Sequence, residues 1–154
     1  MMLAVGKQPK EKKIILLFNY KIKAMSEDKK SVIYQGGCHC GSVRFQVVVD
    51  RWEVEDCNCS ICRKKGFLHL IVPPSNFTLL KGEEFLTTYT FNTGTAKHIF
   101  CSICGIHSFY YPRSHPGWID INIRCLDDDV ISQFQVKSFD GINWEENVHK
   151  IQNN

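Results

Sequence analysis

The chain has 154 residues, 44% hydrophobic and 23% charged, a balance that fits one globular domain with a short appendage. No apolar run approaches the roughly 20 residues that a membrane-spanning helix needs, so no membrane role is expected. The formal charge of +3 is uneven: residues 1–30 hold eight lysines against Glu11, Glu27 and Asp28, whereas residues 31–154 hold eleven Lys/Arg against thirteen Asp/Glu. A slightly acidic body argues against nucleic-acid binding through the folded core, and any such contact would run through the leader and weaken steeply with salt.

Residues 1–30 read as a basic, weakly ordered leader. Its apolar stretch, Ile14 to Phe18, is too short for a signal-peptide core, is flanked by lysines and has no small-residue cleavage site after it. That places the protein inside the cell, in the cytoplasm, with the nucleus left open. Met25, followed by Ser-Glu-Asp-Lys-Lys, reads as an alternative start. From Ser31 to Asn154 the pattern is that of one β domain. Val43, Phe45, Val47 and Val49 alternate with Arg44, Gln46, Val48 and Asp50, as a half-buried strand requires. Phe67 to Val72 is a short apolar run stopped by Pro73-Pro74, and Phe77 to Leu80 ends at the turn signal Lys81-Gly82. Phe85 to Phe91 is rich in Thr, Tyr and Phe and precedes the turn Asn92-Thr-Gly94. Thr95 to Phe100, His107 to Tyr111, and Trp118, Ile119, Ile121 and Ile123 mark further strands. A final strand is predicted within Val130 to Phe139, with one or two helical turns in Asn143 to Lys150. Many short strands with frequent turns predict a mainly β fold of small sheets.

Seven of the eight cysteines fall into three clusters, Cys38-x-Cys40, Cys57-x-Cys59-x-x-Cys62 and Cys101-x-x-Cys104. A disulfide framework is disfavoured by the expected reducing compartment and by the tiny ring that Cys38-x-Cys40 would close. Glycines at 36, 37, 41, 66 and 105 put tight turns beside the thiols, as metal knuckles need. All-sulfur ligation suits zinc or iron–sulfur centres, and the common iron–sulfur spacings are missing, so two zinc ions are predicted. Cys38, Cys40, Cys101 and Cys104 make a closed four-cysteine structural site, and Cys57, Cys59 and Cys62 an open three-cysteine site. Spacing also permits Cys57, Cys59 or Cys62 to pair with Cys101 and Cys104, but that would leave Cys38 and Cys40 without a complete site. The fourth position of the open site falls to water, substrate, His69, His98, His107 or Cys125. The lone Cys125 reads as a small buried hydrophobe.

Three segments carry a resemblance: Gly36-Gly-Cys-His-Cys-Gly-Ser-Val-Arg-Phe45, Cys57-Asn-Cys-Ser-Ile-Cys62 and Phe100-Cys-Ser-Ile-Cys-Gly-Ile-His-Ser-Phe109. Together with Phe77-x-x-x-x-Gly82 and Thr87-Thr-Tyr-Thr-Phe-Asn92, they are similar to the glutathione-dependent formaldehyde-activating enzyme family. Thr88 to Thr93, Tyr111 to Ser114 and Cys125 to Asp127 resemble its animal branch, which includes centromere protein V. The likeness runs from about Tyr34 to Lys150. It implies a zinc-stapled β-tent of short antiparallel sheets, with the same four-plus-three division of the cysteines. It also implies a carbon–sulfur lyase type of reaction, the condensation of glutathione with formaldehyde.

A three-thiolate zinc keeps a guest thiol ionised, which suits a small thiol partner such as glutathione. The step that protonates the adduct oxygen then needs a polar side chain. His107, three residues past the Cys101–Cys104 knuckle, is the first candidate, with His69, Tyr110 and Asp120 as others. Arg63, Lys64 and Lys65 read either as receivers of a substrate carboxylate or as a solvated basic turn. Phe67, Tyr110, Tyr111 and Trp118 read either as pocket lining or as core. Two functions are expected from the sequence, with a thiol redox sensor as a third reading because zinc-bound thiolates oxidise. One is a zinc-dependent carbon–sulfur lyase acting on a thiol and a small aldehyde. The other is a non-catalytic, zinc-stabilised module that meets protein or chromatin partners.

Overall fold

The computed structural model describes residues 30–152. The basic leader up to residue 29 and the alternative start at Met25 lie outside the described residues. The described part is mainly β, with ten strands in three sheets and only short helices. None of those helices is long and apolar enough to cross a membrane.

The first sheet has the order β1 (Val32–Gly37), β2 (Arg44–Val49), β5 (Phe77–Lys81), all antiparallel. The alternation along β2 does what its pattern requires: Phe45, Val47 and Val49 are fully buried while Arg44, Gln46 and Val48 are half-buried. A second, two-stranded sheet pairs β6 (Leu86–Tyr89) with β7 (His98–Cys101). The third sheet has five strands in the order β10 (Gln135–Phe139), β3 (Glu53–Cys57), β4 (Leu68–Val72), β9 (Ile119–Asn122), β8 (Phe109–Tyr110). Short helices α1 (Cys62–Lys65), α2 (Trp144–Asn147) and α3 (His149–Gln152) complete the elements.

The five-stranded sheet positions everything that follows, because its two faces differ. Val54, Leu68, Leu70, Ile121 and Phe109 sit on one face and enter the core shared with Phe45 and Val47 of the first sheet. Phe45 stacks on Phe77 at 5.7 Å, and Phe77 meets Phe109 at 4.9 Å between ring centres, which joins the two sheets. Each such buried side chain contributes roughly 1.5–3 kcal/mol of transfer free energy. The opposite face carries Cys57 and Glu55 on β3, His69 and Ile71 on β4, Asp120 on β9 and Tyr110 on β8. Registry fixes this: Glu55 faces His69, Ile71 faces Asp120, and Asp120 faces Tyr110, and side chains two apart on a strand share a face.

Two local expectations change, and one strand is added. The sheets are not purely antiparallel: β10 runs parallel to β3, with Phe139 beside Cys57, because the chain returns to this edge only after building most of the domain. The predicted strand in Val130 to Phe139 starts at Gln135. Val130 and Phe134 are both buried at a spacing of four, and Ile131–Gln133 between them is a 3-10 turn. Strand β3, Glu-Val-Glu-Asp-Cys, has an acidic sequence that gives little strand signal, yet Val54 and Glu55 are both buried in it. The helical turns predicted in Asn143 to Lys150 are α2 and the start of α3.

Candidate functional site

Two turns of similar design bring four sulfurs together. In the first, Cys38 N–H donates to the Val43 carbonyl (3.0 Å), Gly41 N–H donates to the Cys38 carbonyl (3.1 Å), and Val43 N–H donates to Cys38 Sγ (3.2 Å). In the second, Cys101 N–H donates to the Ile106 carbonyl (3.0 Å) and Gly105 N–H donates to the Cys101 carbonyl (2.8 Å). Gly41 and Gly105 have φ of 76° and 75°, a conformation that an L side chain resists, so glycine closes each turn. The sulfurs of Cys38, Cys40, Cys101 and Cys104 all lie within 4.8 Å of one another. Zinc–sulfur bonds of about 2.3 Å in a tetrahedron place neighbouring sulfurs about 3.8 Å apart. The separations found are 3.5 Å for Cys38–Cys40 and 3.8 Å for Cys40–Cys101, so the donor set fits zinc. The Ser42 hydroxyl, 3.4 Å from Cys40 Sγ, brings that thiol down to about 6, while burial pushes Cys101 up to about 11.

The second cluster is built from one stretch. Cys57 ends β3, Cys62 opens α1, and Cys59 lies on the turn between them, where its carbonyl accepts from Arg63 N–H (3.2 Å). Asn58 pins this turn to the segment after β10. Its N–H donates to the Phe139 carbonyl (3.2 Å), and its side-chain oxygen accepts from Ile142 N–H (3.0 Å). Gly141 packs so closely that a Cβ there would strike Cys57 Sγ and come within 3.0 Å of Cys59 Cβ. The three sulfurs again lie within 4.8 Å of one another. Hydrogen bonds from Cys57 and Cys62 hold the Cys59 thiol far below its ordinary range. The same contact with Cys59 pushes Cys57 up to about 11, and Cys62 is raised further still by its two neighbours. The trio by itself thus favours a single negative charge, and a divalent cation is what would let all three ionise. The donor chemistry fits zinc here as well. No fourth Cys, His, Asp or Glu atom joins the trio within that distance among the described residues.

The trio lies in the wall of a cavity of about 510 Å³. The titratable face of the five-stranded sheet forms another wall, with Glu55, His69, Tyr110 and Asp120. Phe91, Asn92 and Thr93, from the loop between β6 and β7, border it as well, as do Arg113, Ile142 and Trp144. The Arg113 guanidinium stacks 3.3 Å from the Trp144 ring centre and pairs with Glu145 at 3.1 Å. His98 also faces the cavity, stacked between Phe91 (5.3 Å) and Tyr110 (5.0 Å). Its Nδ1 is 3.1 Å from Lys65 Nζ. Burial and then the Lys65 charge push His98 down to about 4, and burial brings Lys65 to about 8.

Of the residues singled out from the sequence, His69, Tyr110 and Asp120 line the cavity with the three cysteines. His107 does not: its ring lies 5.1 Å from Phe100, and burial, then Lys65, bring it to about 4. Cys125 stands in neither cluster, and its thiol, pushed up to about 11 by burial, donates to the His107 carbonyl at 3.7 Å. Arg63 and Lys64 are exposed, and neither they nor Phe67, Tyr111 and Trp118 line the cavity. Glu55 and Arg113 were missed. In the run Glu53-Val-Glu-Asp56, Glu55 has the look of a solvated acid, and only the covered second face of the sheet reveals it as buried.

Comparison with known proteins supplies the remaining observations. A sequence-family profile described as "Glutathione-dependent formaldehyde-activating enzyme" matches residues 33–140. A curated protein of Halomonas elongata named "Putative glutathione-dependent formaldehyde-activating enzyme" is 27% identical over 108 residues, which is 64% of this chain and 69% of that protein. A crystal structure of a Rhodobacter sphaeroides protein superposes with a TM-score of 0.62 at 34% identity, over 68% of this chain and 98% of the other.

Proposed function

The chain belongs to the glutathione-dependent formaldehyde-activating enzyme family, and from that premise we propose that it is a zinc-dependent enzyme of carbon–sulfur lyase type. It joins a small thiol, glutathione foremost, to a small aldehyde such as formaldehyde. The observation that carries this reading is the cysteine trio in the wall of a 510 Å³ cavity, with no fourth protein ligand close to all three sulfurs among the described residues. Cys57, Cys59 and Cys62 would hold one zinc; Cys38, Cys40, Cys101 and Cys104 would hold another away from the cavity. When bound in the trio, zinc supplies a positive charge that favours the ionised form of an arriving thiol at neutral pH.

The chain's own residues do the rest. Phe91, Ile142 and Trp144 give the cavity an apolar border against which the guest can pack. Arg113 is the cation in the lining, and its planar fork suits a carboxylate of the thiol. The polar face of the five-stranded sheet is where a proton can be held for the aldehyde oxygen. Residues 31–154 are the unit that performs this chemistry. The grouping of the cysteines as metal-type clusters rather than disulfide pairs supports a reducing, intracellular setting.

The test is proton exchange NMR of glutathione and formaldehyde at equilibrium with their adduct. The zinc-loaded protein is expected to raise the exchange rate well above the uncatalysed rate, and Cys59→Ser is expected to remove the increase. An exchange rate equal to background with the zinc-loaded protein would refute the reading.

A further inference from the structure

The titratable face of the five-stranded sheet holds three buried polar atoms with no hydrogen-bond partner: Glu55 Oε2, His69 Nε2 and Asp120 Oδ1. Burying such a group unpaired costs about 1–3 kcal/mol, and all three residues line the cavity that the cysteine trio also lines. Glu55 and His69 are 5% exposed and Asp120 is 1% exposed. Of the three, His69 is the group whose ordinary proton affinity lies closest to neutral pH, which suits it to take a proton and give it back. Its Nδ1 lies 2.8 Å from Asp120 Oδ2. A carboxylate only accepts, so Nδ1 carries the hydrogen, and in the neutral ring Nε2 is the bare nitrogen.

Strand registry places His69 on the same sheet face as Cys57. Glu55 is directly opposite His69, and Cys57 is two residues further on the same face of β3. Cys57 and His69 are therefore diagonal neighbours, with roughly 7–8 Å between strand positions. Both side chains line the same cavity, with Cys59 and Cys62. Phe67 packs on one side of the ring at 4.6 Å and Tyr110 meets its edge at 6.0 Å, which locks the ring's orientation.

We propose that His69, positioned by Asp120, is the catalytic residue that transfers the proton when a thiol adds to a small aldehyde in this cavity. The proposal rests on the thiol–aldehyde reading given above. The thiol proton passes to His69 Nε2. The sulfur pair forms the new bond to the carbonyl carbon, and the carbon–oxygen π pair moves onto oxygen. The proton on Nε2 then passes to that oxygen, which leaves a hemithioacetal and a neutral imidazole, with no change of oxidation state. Asp120 stabilises the transient imidazolium through Nδ1–H. The environment suits the role. Burial works against a charge on His69, but the Asp120 carboxylate, with smaller help from Glu55 and Cys59, outweighs it, so the ring holds a proton more readily than an ordinary imidazole. Burial and then the Asp120 charge keep the Tyr110 phenol neutral. Glu55 is tied to Arg51 through Oε1, and its second oxygen remains to accept from the product hydroxyl.

The experiment compares the zinc-loaded full chain with His69→Gln and Asp120→Asn. Exchange NMR should record a hundredfold or larger loss of the catalysed rate in His69→Gln, within the range of about 10²–10⁴ typical of a lost general acid–base group. Asp120→Asn should lose less. Zinc content and glutathione affinity should stay within twofold of the unmodified protein, which separates lost proton transfer from lost folding. A His69→Gln variant that keeps the full rate overturns the assignment while leaving the thiol–aldehyde reading intact. An unmodified protein that gives no acceleration overturns both. Independently of activity, ¹⁵N NMR of the unmodified protein, taken at a pH high enough for the ring to be neutral, should find His69 protonated at Nδ1 and bare at Nε2; the opposite tautomer overturns the assignment.

Discussion

The four-cysteine and three-cysteine clusters offer the same ligand atoms in different settings. The first joins the turn after β1 to the turn after β7, segments more than sixty residues apart in the chain, and none of its members lines the cavity. The second takes all its sulfurs from six consecutive residues, 57 to 62, and opens on the cavity. A metal bridging distant segments removes much chain entropy from the unfolded state, so its binding free energy becomes folding free energy. A metal held by one turn does little of that, and its ligand geometry is free to serve a guest. On the proposed reading, sequence separation of the ligands, more than their chemistry, divides scaffold from site.

The sharpest way to break this comparison is to remove one ligand from each cluster. Cys101→Ser should unfold the domain. Structural zinc contributes on the order of 10 kcal/mol of binding, comparable with the entire stability of about 5–15 kcal/mol of a domain this size. Far-UV circular dichroism and metal analysis would record loss of β structure and of both ions. Cys59→Ser should cost one zinc equivalent and leave the spectrum unchanged. Equal damage from the two substitutions would erase the distinction.

A smaller effect sharpens the picture of the trio. Gly141→Ala forces a methyl group against Cys57 Sγ. The resulting strain of about 1–3 kcal/mol should weaken the trio's metal affinity about tenfold or more. Competition with a chelator would measure it, and the four-cysteine site should hold its metal unchanged. The smallest effect concerns the leader. Removing residues 1–24 should leave thermal stability and zinc content as they are, since all seven proposed ligands lie beyond it.

Much of this was legible in the sequence because short spacing is a geometric statement. Cys38-x-Cys40 and Cys101-x-x-Cys104, each followed by a glycine, could hardly do anything but form knuckles, and Phe45, Val47 and Val49 announced a buried strand face. The functional face was harder to read. In Trp118-Ile-Asp-Ile-Asn-Ile123, Asp120 alternates with apolar residues as a solvent-facing residue would. It is buried because the segment after β10 and the loop between β6 and β7 border the cavity on that side. Local pattern records which residues share a face and not whether something distant covers it. For the same reason His107, three residues from a knuckle, drew more attention than His69, which reaches the trio only through the pairing of β3 with β4.

The central claim is that the trio binds a metal that accepts a sulfur from outside the chain. Cobalt(II) substitution tests it most directly, because each thiolate bound to cobalt adds to a charge-transfer absorption. The account predicts two cobalt ions per chain and a stronger sulfur-to-cobalt band on adding glutathione, with the increase abolished in Cys59→Ser. A spectrum that already reports four sulfurs at both ions and ignores glutathione would contradict it.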